Sequence, residues 1–186
     1  MNPFSGTLPP ERIKTDYLHR LAWGTDASFY RKIPRLVLFP DTEEEVSEIL
    51  DMCNKKQIAV TFRAAGTSLS GQSLSDSVLL VASTRWDKYQ VHDGGETISL
   101  QPGIIGDRVN EILKPYGRKF SPDPASLSSA MVGGIMANNA SGMNCGTHAN
   151  SDRIVRSMRL VLSDGTILYT GDKASRDSFC RTHARF

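Results

Sequence analysis

No apolar run in this chain is long enough to cross a bilayer. The start, Met1-Asn2-Pro3-Phe4, has neither the basic region nor the apolar core of a signal peptide. A cytoplasmic location is expected, at most peripheral to the inner face of a membrane in a longer parent. An excess of one charge is lacking too: 22 Lys and Arg against 20 Asp and Glu leave a net charge of +2. That balance gives no basis for a nucleic-acid partner, and no basic stripe with aromatic spacing occurs. Cysteine is scarce. Cys53, Cys145 and Cys180 are odd in number and widely spaced, which argues against a disulfide framework and for a reducing compartment. There is no CxxC, and His19, His92, His148 and His183 are scattered, so no metal site is expected. Two nucleotide signatures are absent as well. The chain has no GxGxxG followed by an acidic residue after the next strand, and no phosphate loop ending in Gly-Lys-Ser/Thr.

What is present is a globular chain of 186 residues, 39% hydrophobic, enough for one good core or two small lobes. Residues 1–8 read as a loose lead-in. Pro9-Pro10-Glu11 can start a helix with Leu18, Leu21 and Ala22 on one stripe, broken at Trp23-Gly24-Thr25-Asp26. Residues 35–40 read as a short strand closed by Pro40. Thr42-Glu43-Glu44-Glu45 is a capping box, and Val46, Ile49, Leu50 and Cys53 follow at helical spacing. Cys53 is therefore a core residue. Residues 58–62 and 78–82 read as buried strands, and residues 97–100 as a strand after a Gly94-Gly95 turn. Residues 103–114 read as a helix ended by Pro115-Tyr116-Gly117. The order is that of an α/β or α+β protein.

Two stretches stand out. The first is Arg63-Ala64-Ala65-Gly66-Thr67-Ser68-Leu69-Ser70-Gly71-Gln72, which follows a strand and holds no acidic residue. Small residues allow close backbone approach, and successive free N–H groups make an anion-binding concavity. Thr67, Ser68 and Ser70 add hydroxyls, and Arg63 adds a fixed positive fork. A loop cradling a diphosphate is one reading; an ordinary small-residue connection is the other.

The second runs from Ser121 to Ser151. Pro122-Asp123-Pro124 is a rigid turn. Gly133-Gly134 then opens a helix that a ligand or another backbone approaches closely. Asn138, Asn139, Ser141 and Asn144 offer uncharged hydrogen-bonding groups, which suit a flat polar heterocycle better than a metal. A tightly packed helix followed by an Asn-rich loop explains the same residues. Together the two stretches supply what a dinucleotide needs: one loop for the diphosphate and one surface for its ring.

Residues 63–72 resemble the glycine-rich segment of flavoproteins with the FAD-binding domain named after p-cresol methylhydroxylase and vanillyl-alcohol oxidase. Pro122-Asp123-Pro124, Val132-Gly133-Gly134 and Asn139-Ala140-Ser141-Gly142-Met143-Asn144 resemble that family's second FAD-contact region. Asp164-Gly165, after the strand at 159–162, is similar to its next hairpin. The resemblance spans roughly residues 29–170. The D-lactate and related D-2-hydroxy-acid dehydrogenases look closest among its branches. It implies a truncated, two-lobed α+β FAD-binding domain, with a lead-in and helix at 1–28, a first lobe at 29–95 and an incomplete second lobe at 96–186. It implies non-covalent FAD held by Arg63, Ala64, Ala65, Gly66, Thr67, Ser68, Leu69, Ser70, Gly71 and Gln72. Pro122, Asp123, Gly133, Gly134, Asn139, Ser141 and Gly142 would line the rest of the cofactor. A hydride would pass from a small 2-hydroxy acid to flavin N5, with the final electron acceptor unspecified.

Departures from the family pattern carry expectations of their own. Two of its glycines are Ala64 and Ala65 here, which requires negative φ at both. No histidine stands in 62–72, so a covalent histidyl link there is excluded. His148 falls where the family has a tyrosine: a residue facing the flavin is one reading, a solvated loop histidine the favoured one. No catalytic role is expected for Cys145, and no residue of this chain is assigned to catalysis. The tail, residues 176–186, reads as the start of a helix without a C-cap, so the chain looks cut from a longer protein. Alone it is expected to be inactive, and an iron–sulfur cluster is expected only in a region beyond Phe186. A module that keeps the fold without the cofactor is the alternative.

Overall fold

The computed structural model describes residues 4–82 and 85–183; residues 1–3, 83–84 and 184–186, with the readings of both chain ends that fall on them, lie outside. Strands β1 (Ile13–Lys14), β2 (Leu36–Leu38), β3 (Val60–Arg63) and β4 (Val78–Val81) form one sheet in the order β1-β2-β4-β3. β1 is antiparallel to β2, while β2 and β3 run parallel to β4. The uninterrupted apolar run of β4 is explained by its place: strands flank it on both sides and all four residues are buried. Residues 58–62, by contrast, do not form a fully buried strand. β3 lies at the sheet edge with one neighbour, and Phe62 is 48% exposed.

Helix α2 (Glu43–Lys55) covers one face of the sheet. The Thr42 hydroxyl accepts the Glu45 amide at 3.2 Å, and the Glu45 carboxylate accepts the Thr42 amide at 3.4 Å, so the capping box is formed. Val46, Ile49, Leu50 and Cys53 then pack on Leu36, Leu38, Val78 and Leu80. The alternate residues Val37, Leu79 and Val81 face the other way, against Trp23 and Phe39.

Residues 4–8 are not loose. Phe4 and Leu8 are 1% and 2% exposed in the first core, because the Thr7 and Leu8 amides bond the Phe4 carbonyl and fold both side chains inward. Nor does a helix run on from Pro10. A single 3-10 turn, Pro10–Arg12, leads into β1, and α1 (Tyr17–Ala22) starts later, where Asp16 caps the His19 amide. Leu18 is exposed on it.

β5 (Tyr89–His92) and β6 (Thr97–Leu100) form an antiparallel hairpin. The residues of β5 show no clear alternation, and only β6 was readable. α3 (Gly106–Leu113) is shorter than the expected 103–114, since Pro115 converts its end to a 3-10 turn closed by Gly117 at φ 63°. α4 (Val132–Ala137) and α5 (Ser151–Ile154) follow. Ile104, Val109, Leu113, Leu127, Val132 and Ile135 make a second core.

β7 (Arg159–Val161) and β8 (Ile167–Tyr169) form a hairpin that packs back on α2. The Ser47 hydroxyl donates to the Gly165 carbonyl at 2.5 Å, and Arg159 pairs with Glu43 at 2.7 Å. α6 (Lys173–Thr182) begins before the expected tail helix, capped by Asp172. It also has a C-cap: His183 ends it, and its ring bonds Asp164 at 3.1 Å. Among the described residues no helix is long and apolar enough to cross a membrane.

Candidate cofactor site

The first stretch leaves β3 and turns sharply. Gly66 and Gly71 have φ of 74° and 71°, conformations that L side chains rarely adopt. The non-glycine residues with positive φ are Gln57, Asp93 and Asn139, so Ala64 and Ala65 keep negative φ and stand in for glycine without strain. No acceptor among the described residues takes the N–H groups of Ala65, Gly66, Thr67 or Ser68. The Ser68 hydroxyl is committed to its own loop: it accepts the amides of Ser70 and Gln72 at 3.2 and 3.3 Å and donates to the Gln72 amide oxygen. Leu69 and Ser70 sit exposed at the crest.

Arg63 does not point its fork outward. Its Nη1 donates to the Thr25 carbonyl at 2.5 Å and to the Trp23 carbonyl at 3.4 Å, and its guanidinium lies 5.1 Å from the centre of the Trp23 ring. Burial lowers its pKa below the ordinary value, and the charge of Asp26 offsets part of that.

In the second stretch α4 approaches the first. A Cβ on Gly134 would lie 3.5 Å from the Ala64 Cβ, and the Gln72 amide nitrogen donates to the Asn138 side chain at 3.4 Å. Gly133 is matched to protein: its amide bonds the Pro102 carbonyl at 2.9 Å, and a Cβ there would meet Pro102 at 2.6 Å. Pro122 is buried. The Asp123 carboxylate accepts the Asn144 side-chain amide at 2.6 Å, and Gly142 lies directly against the Asp123 carbonyl with no space for a Cβ. Asn139, at φ 45°, turns its side-chain oxygen to the Asp152 amide. Ser141 is exposed.

Cys145 is buried behind this loop. Its sulfur accepts the Gly142 amide at 3.2 Å and donates to the Gly142 carbonyl at 3.1 Å. His148 is exposed. Cys53 lies in the first core, where burial raises its thiol pKa. A surface depression of about 620 Å³ lies elsewhere, among Asp107, Glu111, Lys114 and Arg118. It is shallow and lined by charged, exposed side chains, and it has none of the small-residue backbone of the two stretches.

One part of the site was not read from the sequence: the segment 23–30. The Ala27 amide donates to the Gly66 carbonyl at 3.0 Å, Asp26 accepts the Ser73 hydroxyl at 3.0 Å, and the Tyr30 ring covers Gly71. The local signal is Asp26-Ala27-Ser28: Asp26 accepts the Ser28 amide and hydroxyl as an Asx turn.

These residues fit a bound dinucleotide. Consecutive backbone donors lack acceptors among the described residues, two glycines hold the required turns, and the second stretch sits beside the first.

The comparisons agree. The family model described as an FAD binding domain matches residues 34–171. A D-2-hydroxyglutarate dehydrogenase of Haemophilus influenzae is 30% identical over 169 residues, 89% of this chain and 16% of that protein. A mitochondrial D-lactate dehydrogenase (cytochrome) of Saccharomyces cerevisiae is 32% identical over 155 residues, 78% of this chain and 25% of that protein. A solved alkyldihydroxyacetonephosphate synthase shares the fold, with a TM-score of 0.77 at 21% identity over 94% of this chain and 36% of that one. The chain thus spans about a sixth of the length of the dehydrogenase it matches first. It belongs to the FAD-binding domain family of the p-cresol methylhydroxylase type.

Proposed function

We propose that this chain is the FAD-holding part of a longer flavin-dependent dehydrogenase that oxidises a small D-2-hydroxy acid. One observation carries the cofactor half of the reading: residues 65–68 present N–H groups with no acceptor among the described residues, beside α4, tied by Gln72 to Asn138. Those amides would hold the diphosphate. Pro122, Asp123, Ser141 and Gly142 would lie along the ring and its ribityl chain, and the cofactor would rest between the core around α2 and the core around α3 and α4. When bound, the flavin supplies the hydride acceptor. This chain's own residues bind and orient it; none is assigned to acid–base work. Binding would be non-covalent, since residues 62–72 contain no histidine to tether it. The substrate half rests on similarity: the two dehydrogenases named above act, by their names, on D-2-hydroxyglutarate and D-lactate.

The test is spectroscopic. The full-length protein should purify with a flavin spectrum that bleaches anaerobically with one member of a panel of D-2-hydroxy acids and not with its L isomer. Flavin that no such acid reduces would remove the substrate class. A full-length protein that neither retains nor takes up flavin would be the non-catalytic module instead. Residues 1–186 alone should show no turnover with added FAD, and dye reduction by them would overturn the division of labour.

A further inference from the structure

Arg63 is charged, half-buried and placed at the entry of an anion loop, yet the hydrogen bonds of its guanidinium go to the segment 23–25. Its Nη1 bonds the carbonyls of Thr25 and Trp23, its plane lies over the Trp23 ring, and its Nε is buried with no partner among the described residues. The guanidinium also fills the space beside Gly66, where a Cβ would sit 2.5 Å from Nη2. The neighbouring contacts repeat the pattern. The Ala27 amide holds the Gly66 carbonyl, Asp26 holds the Ser73 hydroxyl beyond the loop, and Tyr30 covers Gly71. The segment 23–30 thus grips the loop at its entry, its first turn, its last turn and its exit. The Asp26 carboxylate is itself fixed. Burial pushes its pKa up, but the Ser28 hydroxyl and amide, the Ser73 hydroxyl and the charge of Arg63 outweigh that and lower it.

We propose that Arg63 and Asp26 are positioning residues of the diphosphate loop, locking it to the strap at 23–30, and that Arg63 is not a phosphate ligand. Rigid presentation of the amides, without a pairing cation, then sets affinity for the anion. A negative Asp26 beside an anion site makes sense only on these terms. By Coulomb repulsion alone its removal would strengthen binding; as a loop anchor its removal weakens it.

The test compares wild type, Arg63→Met, Arg63→Lys and Asp26→Asn in the full-length protein. Its first arm needs no flavin. Amide hydrogen exchange at the hydrogen-bonded amides of the strap and loop, Ala27, Ser70, Gln72 and Leu74, should quicken about tenfold in all three variants, the weight of one charge-assisted hydrogen bond, with α2 and α4 unchanged. Unchanged exchange at those four amides overturns the proposal. Quickening across the whole chain would mean a folding defect and would overturn it equally.

The second arm rests on the flavin reading above. FAD dissociation constants should rise about tenfold in Asp26→Asn and Arg63→Met, with the slope of affinity against salt unchanged from wild type. A flatter slope in Arg63→Met, rescued in Arg63→Lys, would make Arg63 a phosphate ligand. Tighter binding in Asp26→Asn would make Asp26 a bystander charge. If wild type takes up no FAD, the flavin reading fails while the exchange arm still decides the role of the two residues.

Discussion

Gly66 carries two constraints at once. Its φ of 74° disfavours any side chain, and Arg63 occupies the place a Cβ would need. Gly66→Val should therefore cost about 2 kcal/mol or more in thermal unfolding, roughly half from the backbone and half from displacing Arg63. Flavin retention in the full-length protein should be lost with it, and retention unchanged from wild type would make the loop merely structural. Ala64→Gly, where φ is already negative, should leave retention unaltered. Glu45 sets the acid limb of stability. Burial raises its pKa, but the Arg12 fork, at 2.8 and 2.5 Å, and the Asp41 amide outweigh that and hold it below the ordinary 4.5. A depressed carboxylate binds its proton more readily unfolded than folded. Its contribution is thus full above pH 4.5 and is lost as pH falls through and below that value. Glu45→Gln should flatten the fall in melting temperature between neutral pH and the acid range, and an unchanged acid slope would refute this role. At this scale the sequence was informative where chemistry is local. Gly66 and Gly71 could be singled out because a turn after a strand needs them. The target of Arg63 could not, because Thr25 lies 38 residues away and offers only a carbonyl.

The elements owe their legibility to the same distinction. α2 was readable in full because Thr42 and Glu45 close its start and four apolar residues face one way. Thr42→Ala should cost about 1 kcal/mol in chemical denaturation. β1 was not readable: two residues carry no period, and Ile13 pairs with Leu38 only once the chain has doubled back. The burial of β3 was overestimated, since composition does not reveal that β4 alone flanks it. The β7–β8 hairpin was recognisable, but its seat on α2 was not. Gly165, at φ 82°, comes so close that a Cβ would lie 2.7 Å from the Ser47 carbonyl. Gly165→Val should detach the hairpin, seen as protease cleavage near residues 159–169 while residues 97–137 stay protected. Ile135, 2% exposed where α4 meets the second core, makes the converse case. Ile135→Ala should cost about 2–5 kcal/mol and disturb the Gly134 contact with Ala64.

For the molecule as a whole, the family was evident before the fold because two long motifs recur in order. How the motifs meet was not. That meeting is made by a glycine without a side chain and by one bond between Gln72 and Asn138, neither of which leaves a periodic trace. The connection between Ser47 and Gly165, 118 residues apart, also bears on how the protein is made. At ordinary synthesis rates of about 5–20 residues per second, α2 emerges roughly 6–24 s before the hairpin that covers it. During that interval Glu43 lacks Arg159, and the first core lacks Val161. Nascent chains halted before Arg159 should be cut by protease within Glu43–Lys55, and chains halted well beyond Tyr169 should not. The later-made hairpin would then be the event that commits the earlier-made core, so folding around α2 is timed by a segment synthesised 118 residues after it.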